Sequence, residues 1–395
     1  MQQDQDSSLI SLPYSQRIIL WTKSNLFNSW SNSLLTIFCG WLLYQVGGGL
    51  WFWATTQAQW AVVSSNLRLF LVGLYPVEKV WRLWRVLIIT GLLAGISWGL
   101  WGRFSRFVAM TIGSISVAAT ILLPVDFGSR MLVLASVGAI AIGFAIGQQA
   151  KKFPQSSLVL SILWCLSLPI SLWLIGGNFG LAAVDVDVWN GLVLTLLVAI
   201  SGIVFSFPLG VLLALGRQSN LPIIKLFCIF YIELVRGLPL IGILFMAQVM
   251  LPLFLPAGLE VDRVLRAIAA FVFFSAAYLA ENVRGGLQAI PKGQGEAARA
   301  LGLNPVFTTI LIVLPQALKA SIPAIVGQFI GLFKDTSLVA IVGLVDLMGV
   351  ARTVLSQPEF IGRYAEVYIF VAFVYWIFCF SLSQASQKLE KKLQN

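Results

Sequence analysis

Between residues 33 and 383 the chain keeps returning to one pattern, an apolar run broken by a short polar connector. A helix that crosses the hydrocarbon layer needs about 20 mostly apolar residues. Only a helix or a closed barrel satisfies its own backbone polar groups where no water reaches them. Runs of this kind lie at 33–53, 86–101, 107–123, 131–146, 157–175, 189–215, 226–255, 265–280, 309–331 and 365–383. A shorter stretch at 338–347 reads as re-entrant or pore-lining. The expected architecture is therefore all-α, a polytopic transmembrane bundle of about ten spans.

Composition closes off the other classes. Charged residues make up 11% of the chain, apolar residues 58%, and the mean hydropathy is +0.89. A soluble domain carries about 25% charge, so this chain lacks the polar surface of a soluble enzyme, a disordered protein or a secreted disulfide scaffold. It has no His, which removes the commonest metal ligand and general base. Cys39, Cys165, Cys228 and Cys379 stand singly in apolar runs, which points to buried thiols acting as small hydrophobes and gives no metal or disulfide framework. The net charge of +10 has no basic stripe interleaved with aromatics, so it reads as cytoplasmic loops facing anionic lipid and not as nucleic-acid binding.

Residues 1–30 are polar and mixed, with Asp4, Asp6, Arg17 and Lys23, and do not read as a cleaved signal peptide. With ten spans both termini share a side. Placing both in the cytoplasm puts Arg17, Lys23, Arg103, Arg106, Lys151, Lys152, Arg217, Lys225, Lys292, Arg299, Lys388, Lys391 and Lys392 inside, as the positive-inside rule requires. One segment fits poorly. Residues 54–85 are expected outside yet hold Arg68, Lys79, Arg82 and Arg85, and their Trp81-Arg82-Leu83-Trp84-Arg85 end reads as an anchor at headgroup level.

The chain changes character near 176–188. Three parts are expected: a cytoplasmic segment at 1–30, extra spans at 31–180, and a functional domain at 181–395. The first half is poor in intramembrane charge, whereas the last part has ionisable residues in or beside its apolar runs, namely Glu233, Arg236, Glu281, Arg284, Lys319, Lys334 and Asp335. Charge at membrane depth is costly and marks a pathway or a packed polar cluster. In 226–255, Gly237 and Pro239 predict a bend or an unwound turn, because proline removes a backbone donor. The simpler reading pairs Glu233 with Arg236 on one helix face; the other lets both, with the free backbone groups, contact a zwitterionic substrate. Lys334 and Asp335 are expected as a local pair satisfied by Thr336 and Ser337. Tyr278 and Gln328 are polar handles in apolar spans and candidates for lining a path.

The strongest signal is the hydrophilic interval 285–315, GGLQAIPKGQGEAARALGLNPVFTTILIVLP. Pro291 suits a helix start, Glu296 to Leu301 are helix formers, and Gly302 suits a helix end. A short helix, a sharp turn and re-entry into the membrane follow. Ala297, Ala298 and Ala300 permit close approach of another surface, and Glu296 and Arg299 give that contact direction.

Glu296-Ala297-Ala298, three residues, Gly302, nine residues, then Ile312-Val313-Leu314-Pro315 resembles the EAA loop of permease subunits in bacterial ATP-binding-cassette importers. Glu233 to Leu240 (ELVRGLPL), AYLAENVRGG, IPKGQ and FKDTSL are similar to the polar-amino-acid branch of that family. The extra apolar runs before residue 181 resemble its larger M-type subunit of general L-amino-acid importers. The resemblance implies a type I importer permease core that works with two ATPase subunits, a second homologous permease and a periplasmic amino-acid-binding protein, in the bacterial inner membrane. It implies no cofactor on this chain, with ATP and Mg on the partner ATPase; no phosphate-loop motif occurs here. It also implies that Glu296, Ala297, Ala298, Arg299, Gly302 and Pro315 form the ATPase-coupling element. Glu233, Arg236, Gly237, Pro239, Tyr278, Gln328, Lys334 and Asp335 are the candidates for the substrate path. The alternative is an ATP-independent secondary transporter or channel, which calls for paired deep carboxylates or matching broken helices in two halves; neither is evident.

Overall fold

The computed structural model describes residues 14–102, 127–177, 180–256, 258 and 260–394. Residues 1–60 and 61–395 form two compact units. In the first, α1 (Tyr14–Asn25) leads into α2 (Trp30–Phe52), which begins where the Ser29 hydroxyl accepts from the Asn32 amide. No residue of α2 is buried, and large apolar side chains cover it all round. A helix apolar on every face takes its stability from an apolar environment and not from one packed stripe.

The second unit holds α3 (Trp81–Trp101), α4 (Phe127–Ala150), α5 (Ser156–Gly176), α6 (Gly191–Arg217), α7 (Pro222–Gly237), α8 (Leu240–Phe254) and α9 (Arg263–Ala289). It continues with α10 (Lys292–Ala300), α11 (Pro305–Val342), α12 (Leu347–Leu355) and α13 (Tyr364–Gln394). Among the described residues eight helices are long and apolar enough to cross a membrane, or nine if the bent pair α7–α8 counts as one span. The expected span at 107–123 lies outside the described residues.

Small residues let α3 and α4 touch along their backbones. A β-carbon on Gly95 would strike the Ile140 carbonyl, and one on Gly143 would strike that of Leu92. In lipid, where apolar burial between helices gains little, such close backbone approach supplies the packing energy. α5 leans on the same pair, with the Trp164 indole donating to Ser97 Oγ at 2.9 Å.

The run at 226–255 is broken where Gly237 and Pro239 predict a bend: α7 and α8 meet at 105°. Leu238 is extended and Pro239 lacks an N–H, so the helix stops and restarts. The π-helical turn Met246–Met250 adds a second irregularity in α8. Stretch 338–347 begins as the 3-10 end of α11, turns at Gly343, and tucks α12 back against the unit. The thiols also depart from expectation. Only Cys228 is buried, whereas Cys39 and Cys165 are exposed on helices whose outer faces are themselves apolar.

The core runs along α6 and α9, with Leu194, Val198, Ala267 and Phe271 fully or nearly fully enclosed. At the end where α6 begins, Asp346 is wholly buried. Its Oδ1 accepts from the Gly349 amide at 2.8 Å, capping α12, and its Oδ2 accepts from the Tyr375 hydroxyl of α13 at 3.3 Å. The Leu347 amide donates to Thr195 of α6 at 3.0 Å. Burial pushes the Asp346 carboxyl above its usual range, against the opposing hydrogen bonds from Gly349, Met348 and Tyr375. A raised folded-state pKa means that the stability this group contributes is present at low pH and lost as pH rises through that value. Replacing Asp346 by Ala removes the cap and is expected to cost about 0.5–2 kcal/mol. Asp346→Asn keeps an acceptor without the charge, so thermal unfolding in detergent should show it at or above the parent at neutral pH, with a flatter pH slope.

Candidate functional site

Three helices converge at the end of α6. Arg217 occupies its last turn, Glu233 and Arg236 lie on the last turns of α7, and Glu281 and Arg284 sit on α9. Arg217 Nη1 lies 2.9 Å from Glu233 Oε1 and 3.3 Å from Glu281 Oε2. Arg236 Nη1 lies 3.7 Å from the same Glu281 oxygen. Arg284 Nε donates to Glu281 Oε1 at 2.8 Å, and its Nη2 makes a second, shorter contact there. One carboxylate thus serves three guanidinium groups. The Arg236 guanidinium also lies 5.7 Å from the centre of the Tyr278 ring, which adds a cation–π contact.

This geometry overturns the expected Glu233–Arg236 pair. Both lie on α7, but each reaches across to another helix, Glu233 to Arg217 of α6 and Arg236 to Glu281 of α9. Arg217 was missed as a site residue, since its partners lie 16 and 64 positions away in sequence. Glu281 was seen only as half of an i, i+3 pair with Arg284; that pair exists, yet Glu281 is the hub of the cluster.

The cluster sits directly above the loop. Glu281 precedes the end of α9 by eight residues, roughly 12 Å along the axis. Pro291 then caps α10, and the helix closes as the sequence predicts. The Gly302 amide donates to the Arg299 carbonyl at 2.9 Å and the Leu303 amide to that of Ala298 at 3.1 Å, a Schellman closure. Gly302 adopts φ 85 with open space around its α-carbon, so conformation and not crowding demands glycine here. Asn304 caps the next turn through the Phe307 amide at 2.8 Å, with Pro305 in its first position. α11 thus begins at Pro305, straight after the turn that the sequence predicts. Pro315 ends the π-helical turn Thr308–Val313 inside α11, where the residue without an N–H is tolerated at the start of an α-helical stretch.

Within α10 the alanines divide. Ala298 is buried against the rest of the unit and is a brace, while Glu296, Ala297, Arg299 and Ala300 are exposed. Arg299 Nε turns back to the Gly295 carbonyl at 3.2 Å. Leu301 is 85% exposed at the tip. Gln316 of α11 donates to Gln294 at 3.5 Å, tying the loop to the helix that follows it.

The remaining path candidates do not join this site. Asn282 Nδ2 meets the Ala324 carbonyl at 3.3 Å, and the helix then carries Gln328, Lys334 and Asp335 away toward its far end. Gln328 and Asp335 are half-buried and Lys334 is exposed. Among the described residues Lys334 and Asp335 form no ion pair within 4.0 Å. The expected help from the Thr336 and Ser337 hydroxyls goes elsewhere, since they donate to the Phe333 and Lys334 carbonyls.

Glu281→Gln should therefore destabilise more than Glu233→Gln. Glu281 is 21% exposed with three cations, and Glu233 is 56% exposed with one. Breaking a fully buried pair costs about 3–5 kcal/mol, and partial exposure here reduces that. Thermal unfolding of the two variants should rank them in that order.

Residues 206–395 match the family described as "Binding-protein-dependent transport system inner membrane component". The chain is 38% identical to the inner membrane amino-acid ABC transporter permease protein YhdY of Escherichia coli (strain K12), over 96% of this chain and 94% of that protein. It is 39% identical to the glutamate/glutamine/aspartate/asparagine transport system permease protein BztC of Rhodobacter capsulatus, over 95% and 94%. A crystallised amino acid ABC transporter with histidines aligns with 30% identity and a TM-score of 0.46, over 59% of this chain and 97% of that one. Both long relatives match nearly end to end, so the extra N-terminal spans are part of the family resemblance and not an unrelated addition. The chain belongs to the binding-protein-dependent inner-membrane transport components, as a multi-pass permease subunit of the larger type and not an enzyme.

Proposed function

We propose that the chain lines one half of the path of an ATP-driven amino-acid importer and couples to a separate ATPase through α10. The observation that carries the coupling is the outward face of α10, a nine-residue helix braced by Ala298 and ending in an almost fully exposed leucine. An apolar side chain at the tip of a polar loop suits a partner's cleft. The amino-acid substrate is taken from what the two long relatives are named for.

In this reading ATP and Mg belong to the ATPase pair, a binding protein delivers substrate, and a second homologous permease completes the path. Both termini and α10 lie on the cytoplasmic side. Residues 1–30 form a leading segment, 31–180 the extra spans and 181–395 the permease domain. Glu296 and Ala297 face the ATPase; Arg299, held by its own helix, stiffens that face. When the ATPase subunits close, α10 moves. The Glu281 cluster carries that movement from the α9–α10 junction to the bend at Gly237 to Pro239, and the membrane halves turn as rigid bodies. Arg236, Gly237, Pro239 and Tyr278 would sense substrate at that bend, while Gln328, Lys334 and Asp335 would line the path further along α11.

The test separates docking from folding. Gly302→Val forces a β-branched residue into positive φ, which costs roughly 1–2 kcal/mol, and should abolish uptake while the complex still assembles. Leu301→Glu changes only an exposed side chain, so its melting temperature should match the parent while the ATPase dissociates more readily on purification. Normal uptake and ATPase retention in both variants would refute the coupling role of α10.

A further inference from the structure

Arg82 is a buried cation that the transport reading leaves unused. It stands in the first turn of α3, 3% exposed, and its Nε and Nη1 atoms have no hydrogen-bond partner. A guanidinium cannot shed its charge, and burying it without a counter-charge is expensive. The surroundings add cations instead of balancing them. Arg85 lies 4.2 Å from the centre of the Trp81 ring and Arg82 lies 5.5 Å from it, so the two guanidinium groups flank one indole. Arg68 donates to the Tyr75 carbonyl at 3.0 Å and Lys79 to that of Ala183 at 2.8 Å. Among the described residues no carboxylate forms an ion pair with any of these four. The first turn of α3 has no acidic residue and no side-chain cap, so the positive end of the helix dipole adds to the imbalance. This is also the segment whose charge runs against the positive-inside rule.

We propose that this corner binds the phosphate of an anionic phospholipid, with Arg82 as the buried ligand and Arg85 as the outer one. The apolar character of the segment favours a lipid over a free anion: Leu74, Val77 and Leu87, near the cations in sequence, are exposed, and Trp81 lies near the edge of the span as headgroup-level tryptophans do. Guanidinium groups bind phosphate oxygens through charge-assisted, bidentate hydrogen bonds. The Trp189 indole N–H, in the same apolar cluster as Tyr75 and Leu83, also lacks a partner. A bound lipid here would give the extra spans a fixed edge against the bilayer, and this assignment does not depend on the coupling role of α10.

The test is lipid retention by the assembled transporter in mild detergent, with bound lipid quantified by mass spectrometry. The parent should hold phosphatidylglycerol or cardiolipin above its share of the source membrane. Arg82→Gln and Arg85→Gln should each lower that enrichment about fivefold or more, as expected for one cation at a headgroup, and Lys152→Gln should not. Should Arg82→Gln fail to assemble, the exposed Arg85→Gln decides the matter alone. Equal enrichment in parent and arginine variants would overturn the site. After delipidation, inorganic phosphate that raises the melting temperature as much as short-chain phosphatidylglycerol would assign a free anion and overturn the lipid.

Discussion

A single carboxylate shared by three arginines organises the permease half of this protein. Charges at the edge of a membrane domain are held only where geometry lets each find its opposite, and Glu281 provides that meeting point for α6, α7 and α9. Once Arg217 and Arg236 are committed to it, the end of α6 and the last turns of α7 are fixed against α9. The bend at Leu238-Pro239 then has a rigid base, and α8 leaves at 105°. The same helix that carries Glu281 runs on into α10, so the outward-facing loop inherits its position from the cluster.

The opposite end of α6 is secured in another way. There the buried group is an unpaired carboxylate, Asp346, held by backbone and hydroxyl donors that tie α12 to α6 and α13. The two ends differ in kind: an ion cluster that stays partly wet, and a dry hydrogen-bonded joint. Between them α6 and α9 share the largest part of the buried apolar core. The extra spans follow a third rule, with small residues on α3 and α4 bringing two backbones into contact.

Much of the loop was legible because its chemistry is local. Gly302 needs positive φ, Asn304 caps, and Pro305 starts a helix, and all three requirements are visible within a few residues. The bend at Gly237 to Pro239 was legible for the same reason. The π-helical turn before Pro315 was not legible, because spacing gives the distance from Gly302 to Pro315 but not the kind of helix between them. The division of the alanines, Ala298 inward and Ala297 and Ala300 outward, needed the position of α11 beneath the loop. Arg217 carried no local signal, and the pairing of Glu233 with Arg236 was a local solution that a nearer fit across helices displaced.

By itself the sequence determined that the chain crosses a membrane, where it breaks its helices, and where its loop helix starts and stops. These depend on transfer energies and backbone conformations that each short segment settles alone. Tertiary structure alone decided which charges meet. Arg217, Glu233, Arg236, Glu281 and Arg284 become one cluster, while Lys334 and Asp335 form no close ion pair and two donor atoms of Arg82 go unserved. Coulomb energy depends on distance and on how dry the setting is, and neither exists until the helices have packed.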